Sequence, residues 1–272
     1  MAIPSAHYLN SCKYPLVAFG YQRYTLVVLR RPAAAVYTDH CSISCCYDSF
    51  MTMTDFSNVT HLLFDHDGVL VDTEYWYFKA TQDELAAMDI GLTLDEYMEH
   101  MVTGNAAYAS QLSTDEREAF RERRNRRYES FLLYQDIQIP GVENTLASLS
   151  GSYPMAIVTT SRREHFELIH EARNITSYFD FVLALGDYAQ TKPSPDPYLA
   201  AIERFAIAPE NALIIEDSAR GLSSAMAAGI RCVIVKNEFT EHQDFTGATA
   251  KIDALTDLPD LLGKRLPGFH RD

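Results

Sequence analysis

The chain has 272 residues, enough for one large domain or two modest ones, and 47% of them are hydrophobic, as expected of a chain that folds around a core. Its formal net charge of -14 argues against a general nucleic-acid binder, because affinity for a phosphate backbone comes from clustered Lys and Arg. No apolar stretch approaches the roughly 20 residues that span a bilayer, so the expectation is a cytoplasmic protein that does not engage membranes.

Residues 1–58 stand apart. Cys12, Cys41, Cys45 and Cys46 fall here, leaving Cys232 alone in the rest of the chain, a distribution too lopsided for a secreted disulfide framework. The spacing of His40, Cys41, Cys45 and Cys46 matches no zinc pattern. The segment's first 50 residues are poor in acids, holding Asp39 and Asp48 against Lys13, Arg23, Arg30 and Arg31, yet the tyrosines and cysteines fit a transit peptide badly. Its apolar residues keep no period for long, and Met51 and Met53 stand just before the first regular element. It is read as a dispensable, poorly ordered leader.

From Thr60 the pattern becomes regular. Apolar runs at 61–64, 155–158, 181–185, 212–215 and 231–235 lack polar alternation, as expected of strands covered on both faces. Helix-like segments at 162–173, 195–206 and 218–228 separate the later runs, and β-α alternation of this kind predicts an α/β, doubly wound, Rossmann-like parallel sheet. One interval breaks the alternation. Glu74–Met88, Leu94–Met101 and Ser113–Tyr134 carry the spacing of amphipathic helices, with Ser113 and Glu116 placed as a capping box, before Pro140-Gly141 returns the chain to the sheet. Residues 79–139 are therefore assigned to a helical cap, and 59–78 with 140–272 to the core. Arg121, Arg123, Arg124, Arg126 and Arg127 are interleaved with Glu118, Glu122 and Glu129, which reads as a solvated helix face with near-neighbour ion pairs.

The chemistry is concentrated where the apolar runs end. In an open parallel sheet the strands aim their carboxyl ends at one crevice, so Asp65 with Asp67, Thr159 with Ser161, Lys192, and Glu216 with Asp217 converge there. Asp65 and Asp67 are two apart in extended chain and face one side, and Gly68 permits the turn that follows. A calcium loop starting at Asp65 is excluded, since Leu70 stands where it needs Gly and Trp76 where it needs Glu. Gathered carboxylates repel unless a cation compensates, and an all-oxygen donor set suits Mg²⁺. Lys192 then supplies fixed positive charge, and Thr159, Thr160 and Ser161 short donors, for a phosphoryl group.

The strings DHDGVLVDTE, VTTS, TKPSPDPY and IIEDSARGLSSAMAAGI resemble, in order and spacing, the four motifs of the haloacid dehalogenase-like superfamily, in the subgroup whose helical cap follows the first strand. The resemblance covers about residues 59–240, the cap by position and helical character alone. It implies that Asp65 is a nucleophile forming an aspartyl-phosphate and that Asp67 is the general acid and then the base. It also implies that Mg²⁺ lies among Asp65, the backbone carbonyl of Asp67, and Asp217, with Glu216 nearby, and that Thr159 and Lys192 hold phosphoryl oxygens.

An acid at position 67 points to phosphoryl transfer rather than dehalogenation, which releases no alcohol to protonate. A cap without lysine between 80 and 139 argues against the related phosphonate hydrolases. A β-phosphoglucomutase-like mutase shares the core motifs, but it carries His where this chain has Tyr77 and a basic residue where Met101–Asn105 offers none. A catalytically idle relative that binds partners is the third alternative; such proteins usually lose the carboxylates that this chain keeps. The expectation is a Mg²⁺-dependent phosphomonoesterase, a monomer, acting on a small phosphorylated sugar or polyol. The resemblance places specificity in the cap, where Tyr77, Thr103, Gly104 and Asn105 are the candidate substrate-facing residues. His66, between the two Asp residues, is read as a packed histidine rather than a catalytic one.

Overall fold

The computed structural model describes residues 55–103, 107–171 and 173–263, and of 101–103 and 107 only the backbone. The leader lies outside these residues up to position 54. From 55 onward the chain packs: Phe56, within the span read as leader, is buried in the core together with Val59, the first residue assigned to it.

Six parallel strands form one sheet in the order β3-β2-β1-β4-β5-β6. They are β1 (His61–Phe64), β2 (Met155–Val158), β3 (Phe181–Leu183), β4 (Ala212–Glu216), β5 (Arg231–Val235) and β6 (Ala250–Ile252). β1 is central, with Leu62 registered against Met155 of β2 and Leu213 of β4. Leu62, Leu63 and Phe64 are wholly buried, each contributing about 2 kcal/mol of hydrophobic stabilisation.

Alternate residues of each strand feed different layers. Leu62, Phe64, Met155, Ile157, Leu213 and Ile215 pack with α4 (Val142–Ser150) and Phe166 of α5 (Arg163–His170). Leu63, Ala156, Val158 and Ile214 pack with α6 (Asp196–Phe205) and α7 (Ala219–Ala227). A sheet covered on both faces explains the unbroken apolar runs. Strand order reverses beside β1, because the chain passes from β3 across it to β4, and that reversal opens the crevice.

The cap lies between β1 and β2: α1 (Glu74–Ala86), α2 (Leu94–Thr103) and α3 (Thr114–Tyr134), the last opened by a Ser113–Glu116 capping box. It is joined by a narrow neck in which Val71 pairs with Gln138 and Asp72 N–H donates to Ile137 O at 2.9 Å. Phe78, Leu85, Tyr97, Leu112 and Phe120 form its own apolar cluster.

The arginine face of α3 differs from the expected pattern of near-neighbour pairs. Arg123 Nε and Arg127 Nε reach instead to Glu84 of α1, at 3.0 and 2.7 Å. Glu84 is only 6% exposed, and a buried carboxylate recruits the available cations more strongly than solvated neighbours do. No helix among the described residues is long and apolar enough to cross a membrane.

Candidate active site

The crevice is built on Lys192, which is 3% exposed. Its Nζ donates to Asp65 Oδ1 at 2.7 Å, Glu216 Oε1 at 2.7 Å and Val158 O at 3.0 Å. All three ammonium protons are thus spent, one at the end of each of the three central strands. Asp65 is fixed from the backbone as well, its N–H extending the ladder to Ile215 O at 2.8 Å.

Glu216 is wholly buried and saturated. Oε1 accepts from Lys192 and from Tyr198 OH at 2.9 Å, and Oε2 from the Asp217 and Ser218 N–H groups and the Ser218 hydroxyl. This carboxylate joins β4 to α7 and anchors the lysine. Gly221 is required here, because a Cβ would lie 1.7 Å from Glu216 Oε1. Gly68 is required for a second reason: its φ of +80° is left-handed, and a Cβ would meet Asp217 Oδ2 at 2.1 Å.

Carboxylate oxygens of Asp65, Glu216 and Asp217 lie within 4.8 Å of one another. Three acids face one ammonium, and the imbalance shows in their proton affinities. Burial, with the Glu216 charge beside it, pushes Asp65 up to about 6 despite Lys192. Burial and the charges of Glu216 and Asp65 raise Asp217 well above the carboxylate range. Burial opposes ionisation of Glu216 too, but Lys192 and the surrounding donors hold it below its usual value. No hydrogen bond to the Asp217 side chain is found among the described residues. A buried, partnerless carboxylate next to Asp65 is what a hard divalent cation would neutralise, so the donor set fits a metal.

Asp67 is enclosed by donors. Thr73 Oγ1 donates to Oδ1, while Ser161 Oγ at 2.5 Å, Thr159 Oγ1 at 3.4 Å and His66 Nδ1 at 3.3 Å surround Oδ2. Burial works to raise Asp67, but the adjacent His66 and the bonds from His66, Ser161 and Thr73 outweigh it and hold the carboxyl well below its usual range. Of the hydroxyls read from the sequence as phosphate donors, Thr159 and Ser161 lie in this crevice and donate to Asp67. Thr160 instead accepts from Arg220 at 3.2 Å.

The cap candidates divide. Tyr77 packs edge-on to Tyr128, ring centroids 5.1 Å apart, with the Arg124 guanidinium 4.5 Å over its face. Thr103 ends α2, its side chain undescribed, and Gly104 and Asn105 lie outside the described residues.

Glu74 was not singled out from the sequence. It opens α1 and accepts from Tyr97 OH at 2.5 Å, and burial pushes it up to about 7. The signal was an acid closing the DHDGVLVDTE string. Arg220 was also missed; a cation in the first turn of a helix opposes the dipole, and that broken local rule marked it.

A model of the family described as haloacid dehalogenase-like hydrolase matches residues 62–235. Protein CbbY of Cereibacter sphaeroides is 31% identical over 222 residues, 74% of this chain and 95% of the relative. The (DL)-glycerol-3-phosphatase 1, mitochondrial, of Arabidopsis thaliana is 28% identical over 264 residues, 90% of this chain and 83% of the relative. The crystal structure of CbbY from Rhodobacter sphaeroides in complex with phosphate superposes with a TM-score of 0.65 at 28% identity, covering 74% of this chain and 96% of that one. The match runs from the middle of β1 through the cap to the end of β5, and so takes in every strand that feeds the crevice. The chain belongs to the haloacid dehalogenase-like hydrolase family.

Proposed function

We propose that the protein is a Mg²⁺-dependent phosphomonoesterase that releases phosphate from a small phosphorylated sugar or polyol through an aspartyl-phosphate on Asp65. The observation that carries this reading is the Asp65 carboxylate itself, held at 2.7 Å by Lys192, with the Asp217 carboxylate, which takes no hydrogen bond among the described residues, in the same cluster. The relatives support the substrate class. CbbY has been crystallised with xylulose-(1,5)-bisphosphate, and two other relatives are named as a pseudouridine-5'-phosphatase and a fructose-1-phosphate phosphatase.

In this mechanism an Asp65 oxygen attacks phosphorus as the bond to the substrate oxygen breaks, and Asp67 gives its proton to that departing oxygen. Asp67, now a carboxylate, takes a proton from water; the water oxygen attacks phosphorus, the bond to Asp65 breaks, and phosphate leaves. The positive charge of Lys192 and the hydroxyls of Thr159, Thr160 and Ser161 stabilise the phosphoryl oxygens, with Thr159 and Ser161 exchanging Asp67 for substrate. Mg²⁺, held by Asp65, the Asp67 carbonyl and Asp217 with Glu216 behind them, would supply the charge that lets two anions approach. Tyr77 is the described cap residue proposed to meet the organic part of the substrate; the Thr103 side chain, Gly104 and Asn105, the other candidates, lie outside what is described.

The test is phosphate release from xylulose 1,5-bisphosphate, glycerol 3-phosphate, fructose 1-phosphate and glucose 1-phosphate, with Mg²⁺ and with EDTA. Metal-dependent release from at least one ester supports the reading. Interconversion of glucose 1- and 6-phosphates without release would replace it with the mutase, and Mg²⁺ binding with no turnover of any ester would leave a binding protein.

A further inference from the structure

The mechanism leaves the His66–His170 pair without a role. His66 is wholly buried between Asp65 and Asp67, its ring centroid 4.9 Å from Phe166 and 5.0 Å from His170. Its Nε2 lies 2.8 Å from His170 Nε2, and its Nδ1 lies 3.3 Å from Asp67 Oδ2. A carboxylate oxygen that already takes the Ser161 hydroxyl offers only lone pairs, so the proton between His66 and Asp67 sits on Nδ1 in either protonation state of the ring.

One proton must lie between the two Nε2 atoms. If His66 supplies it, neutral His170 carries its own N–H at Nδ1, which is buried with no partner among the described residues. An orphaned buried N–H is the costlier outcome. If His170 supplies it, both rings are neutral, every N–H is bonded, and Nδ1 keeps only a bare lone pair. The satisfied arrangement therefore runs in one direction, from His170 to His66 to Asp67. His170 ends α5, the helix that follows the Thr159–Ser161 turn, so the pair ties the two motif turns to one helix.

We propose that His66, held in one tautomer by His170, is a positioning residue that fixes the Asp67 carboxyl for proton transfer to the leaving group. This rests on the acid–base role given to Asp67 above. With His66 Nδ1 donating to Oδ2, the proton that Asp67 transfers belongs on Oδ1, the oxygen that the Thr73 hydroxyl also meets. His66 touches no reacting atom, and it departs from a purely apolar packing role because both of its nitrogens are engaged.

The experiment compares kcat/KM for phenyl phosphate, whose leaving group needs a proton, with that for p-nitrophenyl phosphate, whose leaving group departs as a stable anion. General acid catalysis contributes on the order of a hundredfold or more, and a misplaced acid forfeits part of it. His66→Leu is expected to lose about tenfold or more on phenyl phosphate and less than about threefold on p-nitrophenyl phosphate. His66→Asn, whose amide nitrogen falls near Nδ1, restores the phenyl ester. His66→Gln, whose amide nitrogen falls near Nε2, does not, and this pair decides the question if His66→Leu fails to fold. His170→Leu shows the same selective loss and His170→Gln recovers it. Equal losses on both esters, or Asn and Gln behaving alike, would show a structural role and overturn the proposal. Asp67→Asn is the control, read from the rate of its first turnover on each ester: if it shows the selective loss and the His66 variants do not, this proposal alone fails. If Asp67→Asn shows none, or the native protein hydrolyses neither ester, the acid–base reading falls and the proposal with it.

Discussion

At the scale of single residues, the account turns on charge balance. Lys192 is the sole protein cation bonded to Asp65 and Glu216 among the described residues. Lys192→Met leaves both anions buried and uncompensated, and removing one partner of a buried pair costs about 3–5 kcal/mol. The expected result in urea unfolding of metal-free protein is a loss in that range, together with loss of phosphate release; a loss below about 1 kcal/mol would contradict the geometry.

Glu74 gives a prediction with a sign. Its folded value of about 7 lies above the ordinary 4.5, so the fold favours the protonated form. The helix N-terminus favours the anion, and burial wins. Its stabilising contribution is complete below pH 4.5 and is lost as pH rises through 7, at most about 3 kcal/mol in all. Glu74→Gln cannot ionise, so relative to the native protein it gains stability between pH 5 and 8. Unfolding free energies of the two proteins that ran parallel over that interval would rule this out. The residues that line the crevice were legible because Asp65, Asp67, Thr159, Glu216 and Asp217 sit at or just past the ends of apolar runs, with Lys192 one loop beyond the 181–185 run. Glu74 was not, since nothing in a string of letters says that Tyr97, on another helix, will bury it.

At the scale of elements, the junction of β4 and α7 is pinned by one carboxylate. Gly221→Ala would place a methyl group 1.7 Å from Glu216 Oε1, displacing it from Lys192 and Tyr198. The expected cost is about 3 kcal/mol or more, read by chemical unfolding; a variant within about 1 kcal/mol of the native protein would show that Glu216 has room to move. In the cap, Glu84→Gln removes the charge that draws Arg123 and Arg127 of α3 to α1. Because both guanidinium groups are partly exposed, the expected loss is only about 1–2 kcal/mol, and thermal unfolding at low and high salt should show it shrinking with salt.

Elements with strong patterns were the readable ones. The strands of the buried sheet and the Ser113 boundary of α3 announce themselves, by unbroken apolar runs and by capping chemistry respectively. β6 does not: Ala250–Ile252 is three residues long on the sheet edge, with Lys251 facing solvent. α4 was passed over because its apolar face, Val142, Leu146 and Leu149, is short. The partners of the α3 arginines were unreadable for a different reason, since sequence spacing sees pairs along one helix and not across two.

At the scale of the whole molecule, a chain of net charge -14 gathers the carboxylates of Asp65, Glu216 and Asp217 within 4.8 Å of one another inside the crevice. A cation that binds only the folded state adds about 2.7 kcal/mol at a hundred times its dissociation constant, so Mg²⁺ should raise the melting temperature. With Asp65 at about 6 in the metal-free fold, protons compete below that value and the stabilisation by Mg²⁺ should fade as pH drops from 7 to 5. Metal stabilisation unchanged across this range would place the ion elsewhere.

The most direct test uses Asp67→Asn with p-nitrophenyl phosphate and Mg²⁺. This ester needs no protonation to leave, but without the Asp67 carboxylate no water is activated to clear the enzyme. The account predicts a burst of about one p-nitrophenolate per protein, with a hydroxylamine-labile phosphate on the peptide carrying Asp65, and no burst when Asp65 is also replaced by Asn. Slow linear release with no labelled Asp65 would contradict covalent catalysis at this residue.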